Sequence, residues 1–197
     1  MKQLITMTLA VFLSIGAICS FADESSPSPE QLVSLYYQKM GEKDMTSLAD
    51  YMHSGELAKF KKMMLPVFEA GFASGKDPGI LKAFTQGDTL KQIQDYSPRK
   101  FFSRFLRWVM IIKPGIDEVL KQSTIKPIGH VSEQTTDGEI IHVVFRMTSS
   151  MEGMRISKLS VMSLKQDGKA WKLMLTGEIE GIAQALQQQI KRRGQKR

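Results

Sequence analysis

The feature that most constrains this chain is a change of period. Up to residue 121 apolar residues recur three or four positions apart, whereas from Ser123 they alternate and become β-branched, in runs near residues 124–133, 139–149, 154–166 and 169–176. The first spacing places apolar groups on one face of a helix, the second on one face of a strand. Thr136-Asp137-Gly138, Glu152-Gly153 and Asp167-Gly168 separate the strand runs with residues that tolerate positive φ. Connections this short dictate an antiparallel meander, since parallel strands need crossovers of about a dozen residues or more. After Gly177 the helical spacing returns at Ile179, Ile182, Ala183 and Leu186. The expected class is therefore α+β, with N-terminal helices packed on a curved four-stranded antiparallel meander and a short C-terminal helix.

The helical half carries its own punctuation. Ser28-Pro29-Glu30 supplies a capping hydroxyl, a proline at the first helical position and an early carboxylate, and Leu32, Val33, Tyr36 and Met40 follow on one face until Gly41. Asp44 opens a second helix with Leu48, Ala49 and Met52. Ser54 opens a third with Leu57, Phe60, Met64, Val67 and Phe68, in which Pro66 predicts a kink. Residues 74–96 read as short helical patches broken by glycine and proline. Ser97-Pro98 then starts the strongest helix, with Phe101, Phe105, Trp108, Val109 and Ile112 in one stripe before Lys113-Pro114-Gly115. A further turn, residues 116–121, precedes the change of period.

The first residues read as an address. Met1-Lys2, the apolar stretch 4–18 and Ser20-Phe21-Ala22 match the charged, apolar and small-residue parts of a secretory signal peptide, with cleavage expected before Asp23. The stretch is shorter than the roughly 20 apolar residues of a membrane span. Cys19 is preceded by Ile18 and Gly16, which do not suit a lipoprotein signal, so the expected location is periplasmic or secreted. The organisation is then residues 1–22 signal, 23–28 linker, 29–190 a single domain and 191–197 a basic tail. Removing the first 22 of 197 residues leaves 175 without a cysteine, so neither disulfides nor a multi-thiolate metal centre hold the domain together. It must depend on its apolar core, which is reasonable at this size.

Ile128-Gly129-His130-Val131, His142-Val143-Val144-Phe145-Arg146 and Gly168-Lys169-Ala170-Trp171-Lys172-Leu173 resemble a group of uncharacterised exported bacterial proteins of the cystatin-like, nuclear-transport-factor-2-like fold. The resemblance implies helices seated in the hollow of a bent sheet. It implies less about function, because that fold hosts enzymes, carriers and assembly modules.

Candidate sites are few. His142 and Arg146 share one strand face with Ile140, Val144 and Thr148, where a planar guanidinium beside an imidazole suits a polar or anionic ligand. The plainer reading is a solvent-facing sheet surface with a structural histidine. Phe105 and Trp108, with plentiful methionines, would line an apolar pocket if the space between their helix and the sheet were open. Equally, they are the rings a domain without disulfides needs inside. On the same helix Arg99, Lys100, Arg104 and Arg107 have no acidic companion, and Lys100, Arg104 and Arg107 form one stripe, a pattern that suits an anionic surface. His53, His130 and His142 lack the close spacing of a metal site. Asp95, Asp117 and Glu133 are the acids nearest the helix–sheet junction, each explicable as a cap, a helix start or a strand end. No metal, cofactor or catalytic group is assigned.

The formal charge of +7 is misleading as a global property. Loss of Lys2 with the signal leaves +6, five of which lie in the last seven residues, among them Lys191, Arg192 and Arg193, so the body carries about +1. Neither this distribution nor any motif favours nucleic acid. The leading expectation is an exported, non-enzymatic binding or interaction domain. The alternatives are a periplasmic carrier of lipid or another small apolar ligand, resembling phospholipid carriers in organisation, and an isomerase- or cyclase-like enzyme with a pocket in the fold.

Overall fold

A computed structural model describes residues 26–74, 83–112, 115–151 and 154–175, together with Gly177, Ile179, Gly181 and Gln188. The signal segment 1–22, the start of the 23–28 linker, Ile182, Ala183, Leu186 and the basic tail 191–197 lie outside the described residues.

The helices begin where the sequence supplies caps. α1 (Pro29–Gly41) starts from a capping box in which Ser28 Oγ accepts from the Gln31 amide and Gln31 Oε1 accepts from the Ser28 amide. α2 (Met45–Leu48) starts from Asp44, whose carboxylate accepts from the Ser47 amide, and runs into a 3₁₀ turn at Ala49–Tyr51. α3 (Ser54–Ser74) continues through Pro66. α4 (Leu90–Gln94) has a second capping box, Thr89 with Gln92. α5 (Pro98–Ile112) and α6 (Ile116–Lys121) complete the helical half.

Four strands follow, β1 (Thr124–Thr135), β2 (Gly138–Met151), β3 (Met154–Asp167) and β4 (Ala170–Leu173), paired antiparallel in the order β1-β2-β3-β4. Gly138 at φ 110° and Gly168 at φ 66° occupy the left-handed region that two of the hairpins require. β4 is shorter than the alternation of residues 169–176 predicts. Leu173 instead bridges Met52 in parallel and accepts a hydrogen bond from the His53 amide at 2.8 Å. The strand therefore serves as the joint between sheet and helices. Met174 and Leu175 leave the strand, the four residues described after them, Gly177, Ile179, Gly181 and Gln188, are helical, and Ile179 packs on the core.

Ile141, Val143 and Phe145 of β2 are buried with Met162 and Leu164 of β3, so this face of the sheet meets the helices. α1 is the helix laid along β1, β2 and β4, with Tyr37 tilted against Phe145 at 5.3 Å between ring centroids. α5 packs mainly on α3, and on α2 and the 3₁₀ turn, rather than directly across the sheet as its aromatic stripe suggests. Between α3 and α5 the rings interlock edge to face: Phe60 lies 5.2 Å from Phe102 and 4.8 Å from Phe105, and Phe68 stacks on Phe84 at 3.8 Å. Phe60, Phe84, Phe101 and Phe102 are fully buried. Such pairs add about 0.5–1.5 kcal/mol beyond the area they bury.

Candidate functional site

The outward face of α5 lines a cleft of about 340 Å³. Successive residues of a helix turn by 100°, so Arg99, Lys100, Ser103, Arg104 and Arg107 lie opposite Phe101, Phe102, Phe105 and Leu106. The first five border the cleft, joined by Ser97 at the start of α5 and Thr46 from α2. Four cations and three hydroxyls thus converge on one concavity, with no imidazole, thiol or carboxylate among its lining residues.

Neighbouring elements hold this cleft in place. Lys61 of α3 donates to the Gln94 and Tyr96 carbonyls, both at 2.6 Å, and so anchors the turn that delivers α5. Ser97 Oγ accepts from the Lys100 amide at 3.2 Å. Tyr96 donates its hydroxyl to Asp88, and its ring lies under Lys100, with Nζ 3.9 Å from the ring centroid. Burial, reinforced by the bond to Asp88, pushes the Tyr96 phenol up to about 12. Asp88 also faces Arg104, at 3.8 Å from Nη2, and Asp50 pairs with Arg99.

Two cations remain short of acceptors. Arg104 is only 21% exposed as a side chain, and its Nη1 is buried with no hydrogen-bond partner among the described residues. Arg107 is exposed and has no partner among the described residues. A buried donor left unpaired costs about 1–3 kcal/mol, and more when charged. Local electrostatics add to this. Arg99 and Lys100 occupy the first turn, where the helix dipole already presents its positive end and α5 itself supplies no acidic residue, Asp50 from the 3₁₀ turn being the partner of Arg99. Lys100–Arg104 and Arg104–Arg107 are like-charge pairs at four and three residues, each unfavourable by about 0.2–0.5 kcal/mol. An oxyanion in the cleft would offset these like-charge repulsions, and a guanidinium offers it a planar fork of donors.

The other sequence-derived candidates lie elsewhere. Phe105 is buried against Phe60, and Trp108 is half-buried at 5.5 Å from Phe105 and 5.9 Å from Phe68, so both belong to the ring cluster behind the cleft. His142 and Arg146 are on the sheet face turned away from the helices. There His142 is held between Ser163 Oγ, 2.9 Å from Nδ1, and Glu133 Oε2, 3.0 Å from Nε2. His130 is on the opposite face of the sheet and pairs with Glu30 of α1, which holds that carboxyl below its ordinary range. His142 and Arg146 therefore do not converge with Phe105 and Trp108. Arg104 and Arg107 do share one cleft, while Lys191, Arg192 and Arg193 lie outside the described residues. Among the described residues no three His, Cys, Asp or Glu side chains converge as a metal site would need, and no helix is long and apolar enough to cross a membrane.

Sequence reasoning missed Thr46, Ser103, Asp88 and Asp50. For Thr46, Asp50 and Asp88, one to five dozen residues away, the sequence carries no periodic signal, whereas Ser103 lies on the cationic face of α5 itself and the helical period could have found it. The cations were legible because four of them crowd three turns of one helix. The sequence matches no protein-family model, and neither a curated protein nor a solved structure matches the chain.

Proposed function

We propose that this chain is an exported, non-enzymatic binding domain whose working surface is the α5 cleft and whose ligand presents a phosphate-type oxyanion. The observation that carries this reading is the convergence of Arg99, Lys100, Arg104 and Arg107 on one cleft, with Nη1 of Arg104 buried and without a partner among the described residues. Charge-assisted bonds from guanidinium to phosphate are short and strong, and Ser97, Ser103 and Thr46 would complete the donor set. Export is supported by the N-terminal sequence pattern, and a binding role by the convergence of four cations and three hydroxyls on one concavity.

Titration of the full chain with inorganic phosphate, followed by amide NMR shifts at Ser97, Lys100 and Arg104, tests the reading. Saturable shifts are expected, weakened about 10- to 100-fold in Arg104→Gln, the range lost with a hydrogen bond to a charged group. Arg146→Gln, on the far side of the sheet, should leave them unchanged. Equal affinity in Arg104→Gln and the parent would overturn the proposal. Vesicles containing phosphatidylglycerol, compared with phosphate alone, separate a lipid head group from a free anion as the source of the same chemistry.

A further inference from the structure

Resting on the reading of the α5 cleft as an oxyanion site, we propose that its ligand is a small phosphomonoester with a hydroxylated skeleton, of the size and chemistry of glycerol phosphate. Charge selects the monoester. Asp50 pairs with Arg99 and Asp88 faces Arg104 at 3.8 Å, so two of the four cations around the cleft already have a carboxylate beside them. Lys100 lies over the Tyr96 ring, which leaves its charge intact, and Arg107 is exposed with no partner among the described residues. Four cations against two carboxylates leave two positive charges. A phosphomonoester carries about two negative charges at neutral pH, because its second ionisation lies near 6, whereas a diester carries one. The monoester therefore neutralises the cleft, while a diester such as phosphatidylglycerol leaves half of the charge uncompensated.

Size and lining select the skeleton. A cleft of about 340 Å³ stands at the small end of ligand pockets, and at roughly 30 Å³ for each water-sized group it takes about ten non-hydrogen atoms, some twice what phosphate alone supplies. The rest of the space is polar. Thr46, Ser97 and Ser103 complete the border with hydroxyls, and no aromatic or aliphatic residue joins them. The hydroxyls of Thr46 and Ser103 have no partner among the described residues, and Ser97 Oγ, which accepts from the Lys100 amide, still has its proton to give. Ammonium and guanidinium groups only donate and an ionised phosphate only accepts, so these satisfy each other. A hydroxyl does both, and its lone pairs call for donors that a dianion lacks and a polyol supplies. An acyl or aryl skeleton would find no apolar wall to cover it.

Titrations of the full chain at constant ionic strength, followed at the Ser97, Lys100 and Arg104 amides, test both selections. Glycerol phosphate should bind about fivefold more tightly than propyl phosphate, which has the same charge without the hydroxyls. It should bind about tenfold more tightly than its own methyl diester, which keeps the skeleton and carries one charge. Thr46→Val combined with Ser103→Ala should lower the first ratio about twofold or more, and Arg107→Gln, at an exposed position, should lower the second by a similar factor. Equal affinity for glycerol phosphate and propyl phosphate, equal affinity for monoester and diester, a first ratio unmoved by the hydroxyl variant or a second unmoved by Arg107→Gln would each overturn this inference. Where inorganic phosphate still binds, those outcomes leave the cleft an oxyanion site for another class of ligand. Failure of inorganic phosphate itself to bind removes the reading of the cleft and this inference together.

Discussion

Along α5 the inward residues Phe101, Phe102, Phe105 and Leu106 are buried among rings from α3, whereas the outward residues Arg99, Lys100, Arg104 and Arg107 gather around a cleft, with Nη1 of Arg104 unsatisfied among the described residues. One face obeys the rules of stability, with apolar groups inside and rings in edge-to-face contact. The other breaks several in three turns, with cations at the positive end of the helix dipole and like charges adjacent. Local preferences that conflict, here offset only in part by Asp50 beside Arg99 and Asp88 beside Arg104, mark sites selected for something other than stability. The inward face should therefore control whether the domain folds, and the outward face what it binds.

Phe101→Ala is the sharpest way to break that division. Phe101 is fully buried against Phe60, Phe68 and Phe84, so truncation should lower unfolding free energy by about 3–5 kcal/mol in denaturant titration. A loss below about 1 kcal/mol would mean that the cluster is loosely packed, and an apolar cavity for a carrier would regain support. Arg104→Met makes the complementary test. It keeps much of the stem, removes the unpaired donor and leaves Asp88 its bond from Tyr96. Stability should stay within about 1 kcal/mol of the parent or rise, as when a costly buried charge is replaced by an apolar chain, while phosphate binding falls. A large loss of stability instead would make Arg104 a structural residue and remove the argument from the cleft.

The division was only half legible in the sequence. The stripe Phe101, Phe105, Trp108 and the stripe Lys100, Arg104, Arg107 are both periodic, and periodicity survives without knowledge of tertiary neighbours. The strand order and hairpins were legible for the same reason, from alternation and glycine turns. What α5 packs against was not, because the spacing of its rings states that a face is covered and not by what. α1 turned out to lie along the sheet, and α3 to cover the rings. Asp88, Thr46 and Asp50 reach the cleft only through the turns after α3 and around α2, and no local pattern encodes that meeting. His142 and Arg146 illustrate the converse: their shared face followed from alternation alone, but the partners that hold His142, Ser163 and Glu133, depend on register.

Caps separate local from tertiary support on a smaller scale. Thr89→Ala removes a capping box from α4, a helix of five residues, and should lower stability by about 1 kcal/mol without altering phosphate affinity. Concurrent loss of binding would show that α4 and the following Lys61-anchored turn position Arg104 through Asp88 and Tyr96.

The smallest effect, and the one that joins the two faces, is expected from pH. Tyr96 has an ordinary phenol value of 10 and is raised to about 12 by burial and by its bond to Asp88. A raised value in the folded state means that the protonated form is favoured by folding, so its contribution is complete below pH 10 and is lost as pH rises through 12. Glu30, Asp44 and Asp167 are shifted the opposite way, the first chiefly by His130, the second by Ser47 and the third by Ser54, so their contributions are present above the ordinary carboxylate range and fade on acidification below it. Stability should accordingly be flat between these limits and fall on both sides. Tyr96→Phe removes the Tyr96 share of the alkaline fall and leaves the acid side unchanged, since none of those three carboxylates touches Tyr96. Buried Tyr36, also shifted upward, retains its own share. Because the same phenol orients Asp88 towards Arg104, phosphate affinity of the parent should weaken over the alkaline window beyond the weakening seen in Tyr96→Phe; identical pH dependence in the two proteins would show that Asp88 holds Arg104 without help from the ring beneath Lys100.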